Sequence, residues 1–141
     1  MKQLIYIVFF AILLTGCSTS KQTAQRKSKR EVKELIEFAN KHVGTRYVPG
    51  GTTPKGFDCS GFVQYSYENI GYSLPRTTKD QAKVGTKVKR KELKSGDLVF
   101  FKGKDDKSKG IGHVGIVTKA NKGEFSFIHA ANSGVRVDNS K

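Results

Sequence analysis

Cys59 lies in Gly56-Phe57-Asp58-Cys59-Ser60-Gly61-Phe62-Val63, where a Gly-rich loop gives way to an apolar, helix-patterned run. A thiol at a helix N-terminus meets unpaired backbone N–H groups and the positive end of the helix dipole. Both favour thiolate over thiol, and the thiolate is the nucleophile. Such a nucleophile also needs an imidazole to take its proton and a polar group to hold that imidazole in one orientation. His113 and His129 stand in successive strand-like runs, so they can converge on the helix end from neighbouring strands. Taken singly, a cysteine or histidine of this kind is more often a packed side chain than a catalytic one. A histidine facing Cys59 makes the chain a cysteine hydrolase.

The elements that must position these residues are legible around them. From Glu31 to Val43 the apolar residues Val32, Leu35, Ile36, Ala39 and Val43 fall on one helical stripe, which Gly44 closes. A loop with Pro49, Gly50, Gly51, Pro54 and Gly56 follows. Cys59 to Ile70 reads as a second helix, with Asp58 or a neighbour as N-cap and Gly71 as its stop. Thr77 to Ala82 is a short helix on the capping-box spacing of Thr78 and Gln81. The second half is strand-like: Leu98 to Phe101 after a Ser95-Gly96-Asp97 turn, His113 to Thr118, Phe125 to Ala130, and Val135 to Asp138. Helices first and strands after predict an α+β domain with an antiparallel sheet over residues 31–141, long enough for one core. His42, outside any motif, reads as a surface residue, and Phe100-Phe101 as core.

The N-terminal 30 residues have another character. Lys2 and the 11-residue apolar run Leu4–Leu14 read as a secretory signal over residues 1–16, since the run is too short to span a bilayer. It ends in Leu14-Thr15-Gly16-Cys17, which resembles the bacterial lipoprotein box and implies lipid on Cys17. More than one acyl chain gives stable membrane attachment. With Cys17 lipidated, Cys59 is left as a lone thiol in an oxidising compartment, a liability unless it has a task. Residues 18–30 carry no aromatic and one small apolar residue, and read as a flexible basic tether. The net charge is +14; removing residues 1–16 takes away only Lys2, one charge, leaving +13. The excess is dense in Lys21–Arg30 and Lys102–Lys109 and favours an anionic surface or polymer. An exported lipoprotein makes nucleic acid an unsuitable partner.

Six segments then occur in order: Gly44-Thr45-Arg46-Tyr47 with Gly50-Gly51; Asp58 to Val63; Leu74-Pro75-Arg76-Thr77 with Gln81; Gly96 to Phe101; Gly112-His113-Val114-Gly115-Ile116-Val117; and Phe127-Ile128-His129-Ala130-Ala131. Together they resemble the NlpC family of bacterial cell-wall cysteine peptidases over roughly residues 31–138. The resemblance implies a papain-like fold, with the Cys-bearing helix packed on an antiparallel sheet. It implies Cys59 as nucleophile, His113 as general base and then acid, and His129 as the group orienting His113. Tyr47 would line the site beside the thiolate, and Asp58 and Ser60 would grip the amino end of a stem peptide. The implied reaction is hydrolysis of the γ-D-glutamyl–diamino acid bond of peptidoglycan stem peptides through a thioester, by a monomer, with no metal or organic cofactor. The implied place is the cell envelope, on the periplasmic face of the outer membrane in a Gram-negative host, to which Ser18 after the lipid-bearing Cys17 points. A wall-binding lipoprotein without turnover, or an amidase or acyltransferase of similar architecture, are the competing readings. Lys102 to Gly110 reads as a solvated loop that leads into His113 and is a candidate border of the cleft. Family members continue past the third catalytic segment with a further strand; this chain stops at Lys141, which implies an open sheet edge.

Overall fold

The computed structural model describes residues 16–103 and 110–140, with side chains from Gln25 onward except Lys27. The expected signal segment up to residue 15 and the loop residues 104–109 lie outside the described residues, as does the side chain of Cys17. The chain divides into two units, 1–30 and 31–141. Helix α1 is Gly16–Asn40. Residues 18–30, read from the sequence as a flexible tether, are therefore helical. The physical reason is local: Ala24 and the straight-chained Gln, Lys and Arg residues lose little on entering a helix, and no Gly or Pro interrupts the run from 17 to 43. Among its described side chains, Gln25, Arg26 and residues 28–30 are exposed.

The second unit is α+β, as the order of helical and strand-like segments predicts. After the end of α1 come a two-residue hairpin, β1 (Thr52–Thr53) and β2 (Gly56–Phe57), then α2 (Cys59–Glu68) and α3 (Thr78–Gln81). Four strands follow: β3 (Leu98–Lys102), β4 (Ile111–Asn121), β5 (Glu124–Ala131) and β6 (Gly134–Asn139). They form an antiparallel meander in the order β3-β4-β5-β6.

Alternation along the strands divides the core in two. Leu35 and Ala39 of α1 and Phe62 and Val63 of α2 pack with Val114, Ile116, Ile128, Ala130 and Val135. Val99, Val117 and Phe127 form a second cluster with Phe101 and Phe125. Each fully buried side chain of this size contributes about 1.5–3 kcal/mol. Stepping back two residues at a time from Val117 leads through Gly115 to His113, and one step on from Phe127 leads to His129. Both histidines thus follow the strand parity of the smaller cluster.

Several boundaries differ from the sequence reading. The first helix stops at Asn40, so Val43 falls in a turn and is 52% exposed. The second ends at Glu68 rather than Ile70, with Asn69 as C-cap. The short helix is capped one residue earlier than expected: Thr77 Oγ1 accepts from the Asp80 amide at 3.2 Å. His42 is not a free surface residue. Its ring stacks edge-on against Phe38, Phe57 and Tyr65, and its Nε2 is buried without a hydrogen-bond partner. Local pattern does not reveal that packing, since Phe57 and Tyr65 come from later segments of the chain.

Candidate active site

The site begins at the start of α2. Asp58 caps the helix in extended conformation (φ −91°, ψ 176°), its Oδ1 accepting from the Gly61 amide at 2.7 Å. Its Oδ2 accepts from the Gly50 amide at 3.1 Å, which ties the preceding loop to the same carboxylate. Gly61 permits the approach: a Cβ there would lie 2.1 Å from the Gly51 carbonyl oxygen. Cys59 is consequently held in the first helical position, among N–H groups that have no partner within the helix. Its Sγ is 3.6 Å from Thr78 Oγ1, and the residue is 8% exposed.

Arg76 completes this base. Its guanidinium donates to both carboxylate oxygens of Asp58, Nη1 at 3.1 Å and Nη2 at 2.5 Å, and Nη1 donates to Ser60 Oγ at 2.8 Å. The hydrogen bond to Asp58 raises the Arg76 pKa further, against partial desolvation. Gln81 joins α3 to α2: its Nε2 donates to the Ser60 carbonyl at 3.0 Å and to the Pro75 carbonyl at 2.9 Å.

The imidazoles come from the sheet. His113 Nε2 is 2.6 Å from His129 Nδ1, and His129 Nε2 is 3.0 Å from Asp138 Oδ2. The contact between the rings depends on Gly115. A Cβ there would come within 2.7 Å of the Phe127 ring and 3.2 Å of His129 Cβ, so only glycine lets the two strands and rings close up. Phe101 stacks near His113 and Phe127 near His129, fixing the ring planes. Burial lowers the His129 pKa below the ordinary imidazole value, although the Asp138 carboxylate opposes this. Partial desolvation would raise Asp138, but hydrogen bonds from Arg136 and His129 outweigh it and hold the carboxyl below the usual range.

Cys59, His113 and His129 line one cleft of about 370 Å³, together with Tyr47, Asn132, and the cationic side chains of Lys102 and Arg136. Tyr47 is placed by its bridge to Phe57, two residues before the thiol. Desolvation raises its pKa, and proximity to the Cys59 and Asp58 charges adds to this, so its hydroxyl stays protonated at neutral pH. The six sequence-selected residues therefore separate. Cys59, His113, His129 and Tyr47 share the cleft, whereas Asp58 and Ser60 lie outside its lining and are engaged by Arg76. Lys102 and Gly103 do border the cleft.

Three participants carried no role in the sequence reading. Thr78 and Arg76 reach the Cys59 region from 19 and 18 residues away in sequence, and nothing local signals those contacts. Asp138 was within reach of inference. The Asn132-Ser133 turn pairs His129 with Arg136, and Asp138 is the diagonal neighbour two residues on.

Among known proteins, the sequence model described as NlpC/P60 family matches residues 44–141. The chain is 44% identical over 105 residues to a probable endopeptidase p60 of Listeria innocua, covering 74% of this chain and 21% of that protein. It is 42% identical over 101 residues to a gamma-DL-glutamyl hydrolase of Bacillus subtilis, covering 70% of this chain and 23% of the other. Among solved structures, the NlpC/p60 domain of the peptidoglycan hydrolase SagA superposes with a TM-score of 0.63 at 34% identity, over 77% of this chain and 87% of that one. The chain thus spans about a fifth of the length of the first curated relatives it matches.

Proposed function

This chain belongs to the NlpC/P60 family, and from that membership and the geometry of the cleft we propose that it is a peptidoglycan endopeptidase working through Cys59. The observation that carries the reading is the shared cleft: a thiol in the first position of α2 and an imidazole, His113, whose Nε2 is joined to a second imidazole. Its specificity is for the bond between γ-D-glutamyl and a diamino acid. The name of the similar Bacillus subtilis protein, a gamma-DL-glutamyl hydrolase, supports that choice. So does Lys102 on the cleft wall, since stem peptides carry free carboxylates.

In this reading His113 removes the Cys59 proton and the thiolate attacks the γ-carbonyl carbon. The C–N bond breaks, the leaving amine takes its proton from the His113 imidazolium, and a thioester remains. Water then gives a proton to His113 and attacks the thioester, releasing the carboxylate and regenerating the thiol. Backbone N–H groups at the start of α2 stabilise the oxyanion. His129 orients His113, and Tyr47 meets the substrate beside the thiol. Asp58 and Ser60, held by Arg76, shape the loop and helix end behind the thiol and are the side chains proposed to meet the amino end of the stem peptide. The protein acts at the cell envelope, held to a membrane by lipid on Cys17.

The test uses the full chain on purified peptidoglycan, with the products identified by mass spectrometry. Wild type should release fragments bearing a new γ-D-glutamyl carboxylate and a new amine. Cys59→Ala should abolish release with an unchanged circular dichroism spectrum. His113→Ala should slow alkylation of Cys59 below pH 8. Undiminished cleavage by Cys59→Ala would remove the reading, and products joined to a new amine would make the enzyme an acyltransferase.

A further inference from the structure

Beyond His129 the hydrogen-bond chain does not end. His129 Nε2 meets Asp138 Oδ2 at 3.0 Å, and the same oxygen accepts from Arg136 Nε at 3.1 Å and Nη2 at 2.7 Å. Arg136 Nη1 donates to Ser133 Oγ at 3.0 Å, so the guanidinium is anchored at the β5–β6 turn. His129 is buried, whereas the Asp138 and Arg136 side chains are 34% and 51% exposed. An Arg–Asp pair this exposed is worth little to stability in itself. Its position suits another task.

We propose that Asp138, clamped by Arg136, is a positioning residue that fixes the tautomers of both imidazoles and so selects which nitrogen of His113 accepts the thiol proton. The inference rests on the reading of His113 as the base for Cys59. An ionised carboxylate can only accept hydrogen bonds, so His129 carries its proton on Nε2. A neutral imidazole has one N–H; Nδ1 of His129 is therefore bare and accepts from His113 Nε2–H across the 2.6 Å contact. That leaves the lone pair of neutral His113 on Nδ1, the nitrogen that takes the proton. Burial favours neutral His129, and Arg136 keeps Asp138 ionised, so both conditions of the chain are met in the fold. Without a fixed acceptor at the far end, each ring can reverse its tautomer, and in the reversed state His113 presents N–H rather than a lone pair to the thiol.

The test is ¹⁵N-histidine NMR of the full chain near pH 7.5, with steady-state hydrolysis of peptidoglycan fragments alongside. Wild type should show both imidazoles protonated at Nε2 and bare at Nδ1. Asp138→Leu, which removes the acceptor, should give a mixed population at His129 and lower kcat about 10- to 100-fold with KM little changed. Asp138→Asn keeps an acceptor oxygen and should recover most of both. A wild-type His129 protonated at Nδ1 overturns the inference even if no variant folds. So does a loss of rate in Asp138→Leu without a change of tautomer, or no change in either. Should the tautomers respond as expected while no form cuts peptidoglycan, the positioning role stands and the endopeptidase reading falls.

Discussion

Replacing Asp58 with Ala tests whether one carboxylate holds the loop, the helix start and Arg76 together. Loss of an N-cap costs about 1 kcal/mol. The hydrogen-bonded ion pair with Arg76 adds about 1 kcal/mol, a value below that of a buried pair because Arg76 is 38% exposed against 14% for Asp58. The total of about 2 kcal/mol corresponds to a fall in Tm of about 10 °C for a unit of this size. Asp58→Asn separates the two contributions. Asparagine Oδ1 caps as well as aspartate, but its Nδ2 cannot accept from the Gly50 amide or from Arg76 Nη2, so the Asn variant should keep the cap and lose about half of the effect with the ion pair. Thermal unfolding of the full chain by far-ultraviolet circular dichroism measures both. In a Cys17→Ser background, iodoacetamide alkylation of Cys59 should also slow in the Ala variant, because a frayed first turn no longer presents its N–H groups to the sulfur. Equal Tm values for the Ala and Asn variants, or an Ala variant within about 2 °C of wild type, would refute the assignment of Asp58 as the organiser of this corner.

Two other outcomes follow from the same structure. His42 has a folded pKa below its ordinary 6.5, from burial first and Lys41 second. The folded state therefore binds protons less readily than the unfolded chain: stability from this group is full above about pH 6.5 and is lost as pH falls through the lowered folded value. Urea unfolding between pH 8 and pH 5 should show a shallower loss in His42→Leu than in wild type, with a residue from His129, whose shift has the same sign; identical slopes would contradict it. For the proposed anchor, metabolic labelling with palmitate should mark the wild-type chain in the membrane fraction. Cys17→Ser should lose both label and membrane association, and a label retained by that variant would place the lipid elsewhere.

Much of the fold was legible because it is written in local signals. The α2 start follows from Asp58 followed by an apolar run, and strands β5 and β6 from the β-branched and aromatic runs at Phe125 to Ala130 and Val135 to Asp138. Other features carry no apolar pattern of their own. The helix over residues 18–30 follows local propensity, which low hydrophobic content does not reveal. The β1–β2 hairpin has strands of only two residues, too short for any period to appear. The burial of the His42 ring is not legible locally because two of its aromatic partners, Phe57 and Tyr65, lie in later segments.

The sequence by itself determined the types of chemical group and their order along the chain: a thiol after a helix cap, then two imidazoles at equivalent strand parity. It also determined the glycine at 115, without which those rings cannot approach. Only the tertiary structure decided which groups meet. Arg76 pairs with Asp58 across 18 residues, and Asp138 reaches His129 because antiparallel register sets them diagonally across β5 and β6. The physical reason is range. Caps, turns and periodicity act over a few residues, whereas hydrogen-bond partners in a packed site are chosen by how helix and sheet come to rest against a common core.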